Sequence, residues 1–364
     1  MEENLTKTCL HDRHVALGAL MSPFGGFDMP IQYKGITEEH NAVRHEVGVF
    51  DVSHMGEVRV KGPDAYKFVS HIFVNDVTGA PDGQIFYGMM CYENGGTVDD
   101  LLVYKVNDEE YFLVINASNI AKDVEWIRKN AEGFNVEITD QSPYYGEVAV
   151  QGPKAEETME NVLGIPVKDI AFYNFKTFPI DGEEVIVSRT GYTGEDGFEV
   201  YGSHAFTQKV WDKLMDAGVQ PCGLGCRDTL RFEVGLPLYG DELSADITPI
   251  EASLSMFVKL DKPEFIGKEA LALQKAEGVK RRIIGLELEG NAIPRHGYPV
   301  EVDGVQVGEI TTGYRSISTG KSVAMAMVNK PFDKLGTKVE VRIRKKTFPA
   351  TVVKKRFYDK SYKK

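Results

Sequence analysis

The sequence predicts an α+β fold of two or three domains closing in an all-β unit, and three observations carry that expectation. At 364 residues the chain is too long for one ordinary domain, and with 42% hydrophobic residues it can build more than one core. The segment VRVKGPDA (residues 58–65) is echoed by VAVQGPKA (residues 148–155). After about residue 275 the texture changes to short strands separated by Gly, Asp-Gly and Pro turns.

Each half of the echo reads as a strand, a Gly turn, and a Pro at the first helical position, where its missing N–H costs nothing. Apolar residues at helical spacing follow: Phe68, Val69 and Ile72 in the first, Met159, Val162 and Leu163 in the second. The repetition predicts a duplicated, pseudo-symmetric α+β core. Between the two, EEYFLVINAS (109–118) reads as a strand leading into a helix with Ile120, Val124 and Ile127, capped by Ser118 or Asn119. FTQKVWDKLMDAG (206–218) predicts a helix with Val210, Trp211, Leu214 and Met215 inward and Gly218 as terminator. Beyond it, RRIIGLELEG, SVAMAMV and KVEVRIRKKTFPATVV predict the strands of a small barrel or sandwich.

Composition narrows the function. Charged residues at 26% and aromatics at 10% are those of a folded protein. A formal net charge of −12 argues against nucleic acid as the main partner. Cys9, Cys91, Cys222 and Cys226 follow neither disulfide-like nor zinc-like spacing. No apolar run has signal-peptide or membrane-spanning length. The expectation is a reduced, soluble, cytoplasmic protein.

The stretch ENGGTVDDLLVY (93–104) opens a hydrophobic strand with two adjacent carboxylates. Asn-Gly and Gly-Gly supply the turn. Strand alternation then puts Val98, Asp100, Leu102 and Tyr104 on one face, and Thr97, Asp99, Leu101 and Val103 on the other. Both faces are mostly apolar, so both are covered, and at least one Asp lies near a dry interior. It is either paired structurally or placed for a ligand.

Other motifs are less specific. GYTGEDGFEVY (191–201) lacks dinucleotide spacing; it reads as a glycine-rich hairpin loop, or as a flexible backbone presenting Tyr192 and Glu199 to a pocket. PCGLGCRDTLRFE (221–233) is either an anion site at a helix N-terminus or a tight strand–helix turn. STGKS (318–322) is no phosphate loop, because position 315 is Arg, and it reads as a hairpin turn. His54 in DVSHMGE reads as a structural histidine. The basic end KKRFYDKSYKK reads as a frayed terminus, with docking to an acidic partner as the alternative.

Taken together, MPIQYKGITEEHNAVR, FDVSHMGEV, GGTVDDLLVY, NASNIAKD, QGPKAEET, SRTGYTGEDGFE, GLGCRDTLRFE, GLPLYGDEL, FIGKEAL and IPRHGYPV resemble, in order and nearly end to end, the glycine-cleavage T-proteins. That resemblance implies a tetrahydrofolate-dependent aminomethyltransferase. It would transfer the one-carbon unit from the aminomethyl-lipoyl arm of the H-protein to tetrahydrofolate, releasing ammonia. The implied fold is a three-domain, clover-like α+β arrangement with a C-terminal β-barrel. Its domains would be residues 1–50 with 146–275, 51–145, and 276–364. Tetrahydrofolate is implied as co-substrate, with no metal, no nucleic acid and no membrane.

The resemblance also implies site roles. Asp100 is the catalytic carboxylate near the reactive folate nitrogens. Glu199 binds the pterin donors and Arg227 lines the same pocket. Tyr87, Tyr104 and Tyr192 are aromatic pocket residues, Asn116 a polar one, Met55 a soft packing contact, and Tyr362 a ligand contact from the tail. Two departures are local: Phe27 stands where Trp is frequent, and Cys226 where Ala is common. Folate-dependent demethylases share the fold but would diverge at these pocket motifs. Iron–sulfur accessory relatives carry a K-G-C-x-x-G-Q-E motif where this chain reads GLPLYGDE.

Overall fold

A computed structural model describes residues 5–359. Its first sheet has five strands in the order Ile85–Cys91, Thr97–Asn107, Glu110–Ile115, Gly56–Lys61, Glu137–Asp140. Its second has six, in the order Phe175–Ile180, Glu183–Ser188, Gly197–Ser203, Tyr145–Gln151, Gly48–Asp51, Gln220–Cys222. In both, a strand–helix unit precedes a three-strand meander whose last strand returns beside the first. The sequence echo is therefore a duplication of topology.

The turn chemistry is duplicated too. Gly62 and Gly152 have φ of 147° and 132°, and a Cβ there would lie 2.4 Å from the Asn135 carbonyl oxygen or 2.5 Å from that of Glu46. The prolines differ from expectation. Ala65 N and Ala155 N each donate to the preceding glycine's carbonyl at 3.0 Å, closing a β-turn with Pro63 or Pro153 at its second position. The helices therefore begin two residues after each proline, at Ala65 and Ala155.

Each sheet packs helices on its outer face. Val58, Leu101 and Val103 meet Phe68, Val69 and Val124 in the first. Val148, Val150 and Val200 meet Val210, Trp211 and Leu214 in the second. The inner faces pack on each other through Tyr104 and Phe112 against Tyr145, Phe175 and Tyr201. The strand Thr97–Asn107 is thus covered on both sides. Its alternation is broken twice: Met90 pairs with Asp99 but Cys91 with Thr97, so Val98 is an extra, bulged residue, and Lys105 pairs with Tyr111 but Asn107 with Glu110, so Val106 is another. Val98 consequently packs with Leu101 and Val103, not on the Asp100 face.

The helix His204–Asp216 is capped by Ser203, whose hydroxyl accepts from Phe206 N, and Gly218 at φ 77° ends it. Asn119 stands at the cap of Ile120–Asn130 but makes no side-chain cap bond, because its amide is used elsewhere. The C-terminal unit is a closed six-stranded barrel: Arg281–Leu288 pairs with both Ser322–Asn329 and Lys346–Val353. No helix among the described residues is long and apolar enough to cross a membrane.

One helix, Leu224–Glu233, joins the parts. Glu233 is buried and accepts from Arg44 Nη2 (3.1 Å), Ser316 Oγ (2.7 Å) and Ser318 Oγ (2.6 Å), beside His40 Nε2 at 3.2 Å. Arg231 pairs with Glu242 at 2.9 Å, and Glu242 accepts from Thr311 and Thr312 of the barrel. Phe357 N and Tyr358 N donate to the Glu233 carbonyl, and Phe357 stacks on Phe232. The described part of the basic end is therefore docked against the body rather than frayed.

Burial pushes the Glu233 carboxyl up, but the His40, Ser318 and Ser316 bonds outweigh it and hold it well below the usual range. Its contribution to stability is thus complete above about pH 4.3 and is lost as pH falls toward the native value. Glu233→Ala leaves Arg44 buried without this partner and is expected to cost about 3–5 kcal/mol in chemical unfolding.

Candidate active site

A cavity of about 540 Å³ lies where the inner sheet faces meet residues 234–239, 253–257 and 355–356. That size suits a single drug-sized ligand. Met55, Tyr87, Asp100 and Asn116 line one side. Tyr192, Glu199 and Arg227 line the other. Tyr104 does not reach the wall: it is fully buried between the sheets, and its hydroxyl meets Ser188 (3.1 Å) and Tyr201 (2.9 Å). At its end of the strand that face is covered by the second sheet, and the cavity lies toward the Asp100 end. Tyr362 lies outside the described residues.

The paired carboxylates divide their roles. Asp99 is fully buried and accepts from Asn116 N (3.0 Å), Asn116 Nδ2 (2.8 Å) and Asn119 Nδ2 (2.7 Å). It is a structural anchor. Asp100 turns to the cavity, where Tyr87 Oη donates to one oxygen at 2.9 Å and Asn116 Nδ2 to the other at 2.9 Å. Asn116 therefore clamps both aspartates. Burial, and then the neighbouring Asp99 charge, push Asp100 up to about 7, while the Tyr87 and Asn116 bonds pull the other way. A carboxyl poised there can be neutral or ionised near physiological pH.

Glu199 sits mid-strand, opposite Ala149 and Ser188. Thr190 Oγ1 donates to it at 2.5 Å. Burial raises its proton affinity, opposed by the Thr190 bond and the Arg227 charge. The glycine-rich loop before it has a packing reason. The Gln151 amide donates to Thr190 O and accepts from Thr193 Oγ1, and a Cβ on Gly191 or Gly197 would lie 2.0 or 2.4 Å from it. Tyr192 Oη donates to the Pro237 carbonyl, and the Arg227 guanidinium lies 4.3 Å from the Tyr192 ring centroid.

Arg227 rides the first turn of Leu224–Glu233, whose N-terminus already holds an anion, the chain's own Glu39. Glu39 Oε2 accepts from Gly223 N at 2.8 Å and Oε1 from the N–H groups of Tyr33, Lys34 and Gly35. Glu39, Cys222 and Cys226 bring potential ligand atoms within 4.8 Å of one another. Those four N–H bonds engage both carboxylate oxygens, and burial holds Cys222 as a thiol, so the donor set fits a helix cap. His54 is buried edge-on to Phe24, and burial, then the Arg227 charge, lower it to about 4. It is neutral and structural.

Three examples show what kind of cavity residue lies outside the sequence-based expectations. Glu147 is a carboxylate in an apolar alternation, the same signal that marks Glu199. Tyr173 has φ 59°, and nothing in AFYNF announces it. Tyr201 lies two residues beyond Glu199 on the same face.

The family model described as the GCVT N-terminal domain matches residues 10–262, and that of the glycine cleavage T-protein C-terminal barrel domain matches residues 281–359. Aminomethyltransferases of Thermoanaerobacter pseudethanolicus and Alkaliphilus oremlandii are each 48% identical, over 100% and 99% of this chain and equal shares of theirs. The crystal structure of glycine cleavage system aminomethyltransferase T from Bartonella henselae superposes with a TM-score of 0.94 at 31% identity, covering 99% of this chain and 100% of that one. The chain belongs to the glycine cleavage T-protein family.

Removing the Asp99 charge removes a cause that raises Asp100. Asp99→Asn is expected to shift the Asp100 titration downward, read from its carboxyl carbon resonance across pH 4 to 9.

Proposed function

We propose that the cavity binds tetrahydrofolate with the pterin against Glu199 and Arg227 and its reactive nitrogens at Asp100. The aminomethyl group arrives on the lipoyl arm of the H-protein. The observation that carries this reading is Asp100, a clamped carboxyl facing the cavity with a proton affinity near neutrality. An ionised fork-shaped acceptor at Glu199 suits adjacent N–H donors of a pterin. With it we propose three domains, 1–50 with 146–275, 51–145 and 276–364, a division supported by the membership of the six-stranded sheet, the five-stranded sheet and the barrel. Four free thiols fit a reducing, cytoplasmic setting.

In the reaction one C–S and one C–N bond of the carrier's aminomethyl group break. Two C–N bonds form to N5 and N10 of the folate, and their hydrogens end on sulfur and on ammonia. The migrating carbon passes through a cationic, iminium-like state. Ionised Asp100 stabilises that charge in a site shielded from water, and Tyr87 and Asn116 keep it aimed.

The test is to mix the protein with tetrahydrofolate and H-protein charged with the aminomethyl-lipoyl group, and to assay ammonia and methylenetetrahydrofolate. Both products are expected, and Asp100→Asn is expected to lower turnover by about 100-fold or more. Because the carboxyl is neutral below its pKa, the wild-type rate should fall as pH drops through about 7. That limb should be missing from the residual activity of Asp100→Asn. Ammonia without the folate product would sink the reading.

A further inference from the structure

We propose that Glu147 is a second carboxyl of the ligand site, held neutral and offering an O–H donor beside a C=O acceptor. Its partner would be a heterocycle edge on which a ring nitrogen acceptor adjoins an N–H. The inference rests on the folate reading above and extends it, since a tetrahydropterin carries such an edge beside the one that Glu199 suits.

The first observation is placement. Glu147 lies on Tyr145–Gln151 opposite Tyr201, and Glu199 lies opposite Ala149, so the two carboxylates are diagonal neighbours on one face of an antiparallel pair. Only the methyl group of Ala149 stands beside Glu199 on that strand. Glu147 is 1% exposed, yet it lines the cavity. Its Oε2 has no hydrogen-bond partner among the described residues. A buried polar atom left in that condition at a cavity wall marks a contact reserved for a ligand or an ordered water.

The second observation is a count of hydrogens. A row of hydroxyls runs from Glu199 toward Glu147: Thr190 to Ser188 at 2.6 Å, Ser188 to Tyr104 at 3.1 Å, and Tyr104 to Tyr201 at 2.9 Å, with Tyr201 opposite Glu147 on the neighbouring strand. Each hydroxyl has one hydrogen to donate. Thr190 donates to Glu199 and Tyr104 donates to Ser188. Ser188 must then donate to Thr190, and Tyr201 to Tyr104. Every hydrogen in the row points toward Glu199, and none is left for Glu147. Glu199 receives a donated hydrogen and Glu147 none, so Glu147 is the carboxyl that the row leaves to carry its own proton. The charges around Glu147 agree: burial, then Glu199 and Glu57, raise it well above the usual range, against the Arg227 charge.

The test measures binding of tetrahydrofolate, and of tail-less tetrahydropterin, to wild type, Glu147→Leu and Glu147→Gln by anaerobic calorimetry, with thermal unfolding of each free protein. Glu147→Leu should weaken both ligands alike by about tenfold or more, which locates the contact at the ring. It should also raise the Tm of the free protein, because a buried group with an unmatched oxygen is replaced by an apolar one. Glu147→Gln keeps a donor and an acceptor and should stay within about threefold of wild type. If Glu147→Leu does not fold, Glu147→Met is read in the same way. Wild-type binding with Glu147→Leu unchanged within about twofold overturns the role of Glu147 alone. A lowered Tm with unchanged affinity assigns it to the fold and overturns the inference as well. Failure of wild type to bind either reduced pterin overturns the folate reading and this inference together.

Discussion

The buried Arg44–Glu233 pair is the constraint on which the rest of the molecule depends. Two charges taken out of water are tolerable only when nearly every oxygen and N–H is matched, and here the matching groups come from all over the chain. Arg44 also meets Glu195 at the edge of the glycine-rich loop. Glu233 is met by serines from the barrel hairpin, and its carbonyl by the chain's docked end. Satisfying one ion pair therefore fixes the helix Leu224–Glu233 against both the six-stranded sheet and the barrel. Arg227, two turns upstream, inherits its place at the cavity from that arrangement.

The cavity uses the opposite principle. Asp100, Glu147 and Glu199 are drawn away from bulk water, and each responds by holding its proton more tightly. Asp99 is what makes Asp100 work: anchored by Asn116 and Asn119, it stays beside Asp100 and is one of the causes that raise it. Asn116 is better understood as the link between these two carboxyls than as a polar patch of wall.

How much of this is legible in the sequence depends on how local the cause is. Asp100 and Glu199 are legible because a carboxylate in an apolar strand needs a reason, and the reason lies within a few residues. The duplication is legible because turn chemistry repeats in a short motif. Tyr104 is misread because alternation tells which face a residue occupies but not what covers that face. Glu39 is invisible as a helix cap because it meets Gly223 across 184 positions of chain. The docking of the basic end has the same cause: its partner, Glu233, lies more than a hundred residues earlier.

The bulge at Val98 bears on what kinds of genetic change the hairpin can absorb. Side chains on a strand alternate with period two, so a one-residue slip would exchange the aspartates, sending Asp99 to the cavity and Asp100 inward. The turn is also closed to side chains, since a Cβ on Gly96 would fall 1.9 Å from the Ala245 carbonyl oxygen. Residues 93–96 thus act as a ruler. Substitutions at its exposed positions leave the chemistry where it is, whereas inserting or deleting a single codon there would keep both acidic residues and still misplace the reactive one.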